Sequence, residues 1–214
     1  MGVDSSNKGK FIVFEGGDGV GKSTQAYLLV DALTGHNIDA IYMREPGSTV
    51  AGDMLRKLLK DKTVPLTERA QLMVICAARA QLIEETLRPA LAKGQWVILD
   101  RYLPSTIAYR PTVDRLVFDL LNHVLDVPTP DVYVFLTANI KTVLGRVKAK
   151  DTADRFDNQD EATIAERLRL YSRLVQDFDA IEIDTSHTSI QGTHIEVLRQ
   201  VMLRLDGWDS VSRC

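Results

Sequence analysis

Phe11-Ile-Val-Phe-Glu15 runs straight into Gly16-Gly-Asp-Gly-Val-Gly-Lys-Ser23-Thr24. A short β-rich run, a glycine-rich turn and then a helical pattern form the setting of the G-x-x-x-x-G-K-[ST] phosphate loop, and Gly16, Gly21, Lys22 and Ser23 stand in register with it. Glycines reach dihedrals closed to other residues and let oxygens approach the backbone. The N–H groups of Gly16, Gly17, Asp18, Gly19, Val20 and Gly21 can therefore wrap a phosphate, with Lys22, Ser23 and Thr24 completing the turn. Lys22 brings a point charge to the outer phosphates. Ser23 offers a hydroxyl to Mg²⁺, and the helix N-terminus adds partial positive charge.

Outward from this loop, β-rich runs alternate with helical stretches. Phe11–Glu15, Ala40–Glu45, Trp96–Asp100, Val132–Thr137 and Ile181–Asp184 read as strands. Lys22–Leu33, Val50–Leu59, Glu68–Ala92, Asp114–Leu125, Ile140–Ala149, Glu161–Phe178 and Gln191–Leu205 read as helices. The alternation predicts an α/β fold in three layers, a five-stranded parallel sheet flanked by helices on both faces. Ligands of such sheets lie beyond the carboxyl ends of the strands. Four of the five runs end in an acid, Glu15, Glu45, Asp100 and Asp184. Asp184, followed by Thr185-Ser186, reads as a turn or capping residue.

The chain has 214 residues, 45% of them hydrophobic, which suits one compact domain over 1–214 with a sizeable core. Its 26 basic and 29 acidic residues leave a net charge of −3, which argues against an extended nucleic-acid surface and for small-molecule partners. Cys76 and Cys214 make neither a disulfide framework nor a metal spacing. They suit a reducing compartment, and without a targeting or membrane-spanning pattern the expected location is cytoplasmic. The four histidines have no metal or nucleophile spacing.

Several side chains carry chemistry by position. Asp100 closes the apolar run Trp96-Val-Ile-Leu99, so its carboxylate emerges at the ligand edge, where it can hold Mg²⁺ directly or through water. Arg101 follows, and an arginine beside a phosphate loop can clamp phosphate oxygens in bidentate fashion. Arg79 shares a helical row with Leu72, Ile75 and Ile83. A guanidinium there needs a partner, and three are open to it: a base carbonyl or phosphate oxygen, an acid from another element, or solvent reached by snorkelling. Arg44 places a cation at the same sheet edge, just before Glu45-Pro46. Arg146-Val-Lys-Ala-Lys150 and Asp154-Arg155 put four cations into ten positions. Such a run is either a solvated face or a source of positive charge for phosphoryl transfer, where an arginine is worth ~10³–10⁵ in rate.

The phosphate loop, Arg44-Glu-Pro-Gly47, Ala77-Ala-Arg79, and Asp100-Arg-Tyr102 with Ser105 and Ala108-Tyr109 resemble, in order and spacing, the thymidylate kinases, P-loop nucleoside monophosphate kinases. The resemblance runs from about residue 10 to the last helix. It implies ATP as donor with Mg²⁺, a deoxynucleoside 5′-monophosphate as acceptor, with dTMP going to dTDP, and a homodimer. By residue, it implies that Arg44 and Arg101 hold the acceptor phosphate and that Glu45–Pro46 is cis. Asp18 would contact the 3′-hydroxyl, Tyr109 would exclude a 2′-hydroxyl, and Arg79 would reach the pyrimidine. Pro46, Ser105, Thr106 and Ile75 complete the substrate site. Gly19 stands where some members carry an arginine, so catalytic charge is expected from a lid at about 146–158, with Arg146 and Arg155 as candidates beside Lys22, Arg101 and Asp18, and Lys150 behind them.

The sequence also departs from the family. Ile75 stands where a phenylalanine usually stacks on thymine, and such stacking contributes roughly 1–3 kcal/mol. After Tyr109 the usual glutamine- and glycine-rich stretch is replaced by the shorter Arg110-Pro-Thr-Val-Asp114. Arg110 is open to three readings: a phosphate contact, a contact to a polar substituent on the base, or a solvent-facing charge. Another pyrimidine deoxynucleotide, such as a 5-substituted dUMP or dCMP, is the competing acceptor. A non-catalytic nucleotide-dependent switch is the competing class.

Overall fold

The computed structural model describes residues 8–110, 112–148 and 160–205. Five strands, β1 (Phe11–Glu15), β2 (Ala40–Arg44), β3 (Trp96–Asp100), β4 (Val132–Thr137) and β5 (Ile181–Asp184), form one sheet in the order β2-β3-β1-β4-β5. Every pairing is parallel. Register sets Phe14 beside Asp100 and Arg44 beside Asp100, so the chemistry-bearing ends of β1, β2 and β3 converge on one edge.

The nearly continuous apolar strands are explained by burial on both sides. Ile12 and Phe14 pack into one core with Leu29 and Leu33 of α1 (Lys22–Gly35) and Val197 and Val201 of α9 (Ile190–Arg204). Phe11 and Val13 pack into the other, with Leu82 of α3 (Glu68–Leu82), Leu91 of α4 (Arg88–Ala92) and Leu174 of α8 (Glu161–Asp177). At about 1.5–3 kcal/mol for each large apolar side chain buried, these two cores hold the strand ends in place.

The remaining helices are α2 (Val50–Lys60), α5 (Leu103–Ala108), α6 (Arg115–Val124) and α7 (Ile140–Lys148). Thr49, Thr67, Asp114, Asp160 and Ser189 cap helices through their side-chain oxygens. Asp184 is the turn residue its sequence suggested, accepting from Ser186 N at 2.8 Å.

Beyond shifts of one or two residues at helix ends, three features differ from the sequence reading. β2 stops at Arg44, just before Pro46, which has no N–H to continue the ladder; the Glu45–Pro46 peptide is cis. The helix expected over Glu68–Ala92 contains one π-helical turn, Ile83–Leu87, between α3 and α4. The short α5 was not anticipated; Pro104 lies in its first turn, where a missing N–H costs nothing.

Candidate active site

A cavity of about 860 Å³ opens along the carboxyl edge of the sheet. At one end, the chain leaves β1 through Gly16 at φ +133°, where a Cβ would lie 2.2 Å from the carbonyl oxygen of Leu136. Only glycine lets the loop pass β4 this closely. The loop enters α1 through Gly21 at φ +101°. Lys22 is buried and folds back so that Nζ donates to the Gly17 carbonyl at 2.6 Å. Burial first, and Arg101 second, push the Lys22 ammonium down to about 8, against the pull of Asp100, Asp18 and Glu15.

Ser23 Oγ donates to Asp100 Oδ2, and the Tyr42 hydroxyl donates to the same oxygen at 3.3 Å. Oδ1 of Asp100 is buried and has no hydrogen-bond partner among the described residues. A hydroxyl and a carboxylate oxygen left over at a phosphate loop fit a hard, oxygen-seeking cation such as Mg²⁺.

The middle of the cavity is an interlocked set of charges. Arg101 sits at φ +74°, a left-handed conformation unusual for a side chain of this size. Its N–H donates to Phe14 O at 2.9 Å, which fixes it to the end of β1. Its Nη1 donates to Ser105 Oγ at 3.0 Å and the Tyr171 hydroxyl at 3.1 Å, while Nη2 pairs with Asp18. Asp18 also accepts from the Tyr109 hydroxyl. Burial alone would raise the Asp18 carboxyl, but Arg101, Lys22 and the Tyr109 hydroxyl hold it well below the ordinary range. The Arg167 guanidinium lies 3.8 Å from the Tyr109 ring centroid and that of Arg101 lies 5.2 Å from it. Beneath this set, buried Glu15 accepts from Tyr102 N at 2.6 Å, Ser105 N at 3.2 Å and Ser105 Oγ at 2.7 Å.

At the far end, Arg79 is fully buried and forks onto Glu45, with further bonds to Thr106 Oγ1 at 2.7 Å and Asn122 Oδ1 at 3.1 Å. Of its three sequence readings, the pairing with an acid from another element is the one seen, and Arg79 does not itself line the cavity. Ile75 and Thr106 do line it. So does Arg110, only 3% exposed, whose Nη2 donates to Gln71 Oε1 at a long 3.5 Å and whose buried Nε has no partner among the described residues. Burial, then the charge of Arg79, pushes the Arg110 guanidinium down to about 10. Arg44 and Pro46 reach the same cavity, Arg44 held by Asp53 at 3.1 Å.

A model of thymidylate kinases matches residues 14–197. A thymidylate kinase of Legionella pneumophila (strain Corby) is 40% identical over 161 residues, spanning 72% of this chain and 76% of that relative. One from Caldanaerobacter subterraneus subsp. tengcongensis is 35% identical over 175 residues, spanning 80% and 84%. The chain belongs to the thymidylate kinase family. The solved thymidylate kinase of Candida albicans shares its fold, with a TM-score of 0.74 at 22% identity over 94% of this chain and 93% of that one. That of Ehrlichia chaffeensis gives 0.71 at 24% identity over 91% and 99%.

The phosphate loop, Arg44-Glu45-Pro46 and the segment from Asp100 to Tyr109 thus lie on one cavity, while Arg79 stands behind its wall, paired with Glu45. Asp18, Gly19, Val20, Gly21, Lys22, Ser23 and Thr24 line it, while Gly16 and Gly17 form the start of the loop behind them. Asp100, Arg101, Ser105, Thr106 and Tyr109 line its other wall. Arg146 reaches the loop from α7, donating to Gly19 O at 3.3 Å, Thr185 Oγ1 at 2.9 Å and Thr185 O at 2.8 Å. A Cβ on Gly19, at φ +80°, would meet Val147 at 3.1 Å and the Val143 carbonyl at 3.3 Å, so α7 packs tightly over the loop. Arg155, Lys150 and most of the expected lid fall outside the described residues. Sequence reasoning missed Arg167, which read as one more cation on the charged helix α8, and Arg56, which holds the turn by donating to Pro46 O at 2.9 Å. It also missed Tyr42, whose hydroxyl is visible in sequence but whose reach to Asp100 depends on the β2–β3 pairing.

Proposed function

We propose that this thymidylate kinase family member transfers the terminal phosphoryl group of ATP to dTMP, giving ADP and dTDP. The observation that carries the reading is that the phosphate loop, whose Asp18 pairs with Arg101 and accepts from the Tyr109 hydroxyl, lines one cavity together with Arg44, Ile75 and Thr106. The bond from the γ-phosphorus to the ADP oxygen breaks, and a bond to an acceptor phosphate oxygen forms. That oxygen is already anionic, so no side chain has to remove a proton. The loop backbone from Gly16 to Lys22 cradles the donor phosphates, and Lys22 leaves Gly17 to meet them. Arg101 and Arg44 hold the acceptor phosphate in line, which turns an encounter into a positioned reaction. Asp18 takes the 3′-hydroxyl, and Tyr109, backed by Arg167, fills the space a 2′-hydroxyl would need. Ile75 and Thr106 shape the base site, with Arg79 and Pro46 supporting them. Arg146 and Arg155 supply charge to the transferring group.

Ser23 and Asp100 are the residues that would hold Mg²⁺, which when bound neutralises phosphate charge. For the assembly we propose a homodimer. Support comes from α6, where Leu116, Leu120 and Val124 are 78%, 62% and 70% exposed, and from its neighbours α3 and α2, where Met73 and Met54 are also exposed. Sedimentation should give twice the monomer mass, and Leu120→Glu should shift it toward the monomer; a wild-type monomer at micromolar concentration sinks this part. The location we assign is the cytoplasm, in keeping with Cys76 as a free thiol. Among the described residues no helix is long and apolar enough to cross a membrane.

The test of the activity is ADP release with Mg-ATP over dTMP, dUMP, dCMP, dGMP and UMP. Turnover should be highest with the pyrimidine deoxynucleotides and weak with UMP. No turnover with any of them would leave a nucleotide-dependent switch as the better reading.

A further inference from the structure

Two arginines stand at the base end of the cavity, and their circumstances differ. Arg79 has all three guanidinium nitrogens engaged: Glu45 balances its charge, and Thr106 and Asn122 take further N–H groups. Arg110 is almost as deeply buried, yet among the described residues it forms no salt bridge and one long hydrogen bond to a neutral amide oxygen. Its Nε–H is buried, with no acceptor for it among the described residues. A guanidinium has five donors and does not lose its proton in a protein, so burial in this state is costly unless a ligand completes it. Of the acids that feel the Arg110 charge, Glu68 accepts from the Thr112 hydroxyl and Glu45 is paired with Arg79.

The ligand that completes Arg110 has to present an oxygen. Ile75, on the same cavity, offers an aliphatic face in place of an aromatic ring, so the base is held less by stacking and more by whatever its edge can bond. A methyl group set against Arg110 would leave Nε unsatisfied. A hydroxymethyl, formyl or carboxyl oxygen would satisfy it.

We propose that Arg110 is a specificity residue that donates to an oxygen on the C5 substituent of the acceptor base, so that 2′-deoxyuridine 5′-monophosphates with an oxygen-bearing C5 group are preferred over dTMP. The proposal rests on the monophosphate kinase reading and deepens it. A hydrogen bond from a charged donor to a buried acceptor, gained by one substrate and lacking in the other, corresponds to roughly tenfold or more in kcat/KM.

The experiment measures kcat/KM for 5-hydroxymethyl-dUMP, 5-carboxy-dUMP, dTMP and dUMP with the wild-type chain, Arg110→Met and Arg110→Lys. Wild-type enzyme is expected to favour the oxygenated substrates over dTMP by about tenfold. Arg110→Met should collapse that ratio toward one, and Arg110→Lys, which keeps the charge but loses Nε, should restore part of it. The KM for ATP and the melting temperature, measured on each variant, separate a lost base contact from a damaged fold.

A uniform fall across all four substrates, dUMP included, would overturn the proposal, since it would place Arg110 on the phosphate, on O4 or in the framework. So would a wild-type preference for dTMP, or a ratio indifferent to Arg110. If the wild-type chain turns over none of the four, the kinase reading itself has failed. Turnover of dTMP with no role for Arg110 removes this inference alone.

Discussion

At the phosphate end of the cavity Lys22, Ser23, Asp18 and Arg101 each hold a protein partner, on Gly17, Asp100, Arg101 and Tyr109 among others. At the base end Arg79 is closed in by Glu45, while Arg110 Nε has no acceptor among the described residues and Ile75 presents bare hydrocarbon. Preorganisation suits the end where charge develops in the transition state, because dipoles already fixed need not reorganise during the reaction. The other end only has to tell one base from another, and an unfilled donor does that by penalising ligands that leave it empty.

The largest effect expected from breaking this contrast is on stability. Arg79→Met leaves Glu45 buried without its cation and should cost about 3–5 kcal/mol, or roughly 6–20 °C in melting temperature. The double change Arg79→Met with Glu45→Met should recover most of that loss. If the single variant melts like the wild type, Arg79 is not the closed partner described above.

Next in size is Lys22→Met, expected to lower kcat/KM for ATP by about 10²–10³-fold while leaving the melting temperature nearly in place. A comparable loss of stability would mean that the lysine holds the loop's shape and not the phosphates.

The smallest effect is on pH dependence. Lys22 falls from its ordinary value to about 8 in the folded protein, so the unfolded chain binds the extra proton between pH 8 and 10.5. Unfolding free energy of the wild type relative to Lys22→Met should therefore rise from pH 8 to 9.5, while affinity for ATP falls over the same range as the charge is lost. A flat difference would show that Lys22 keeps its ordinary basicity.

The fold and the phosphate end were legible because their signals are local. Five apolar runs, a loop of fixed spacing and acids at strand ends sit within a few residues of one another in the chain. The exceptions have local causes too. Pro104 lies in the first turn of α5, a helix too short for apolar periodicity to mark, and the turn over Ile83–Leu87 differs from α-helix by a single extra residue that apolar periodicity does not register. The base end was legible only as a need. The row Leu72, Ile75, Arg79 and Ile83 shows that Arg79 requires a partner, but Glu45 lies 34 residues away on a turn after β2, and no pattern joins them. Arg167 is harder still, since its significance depends on α8 crossing Tyr109.

The single carboxylate of Glu15 ends the strand that launches the phosphate loop and also gathers the backbone of Tyr102 and Ser105, which launch the opposite wall. It therefore acts as a shared datum: the gap across which the phosphoryl group must jump is gauged from a single side chain, not from the two loops. Chain length beyond Tyr109 can shrink, as it does at Arg110–Asp114, and the pocket for the base can be rebuilt without altering that gap. Reach and taste are thereby inherited separately.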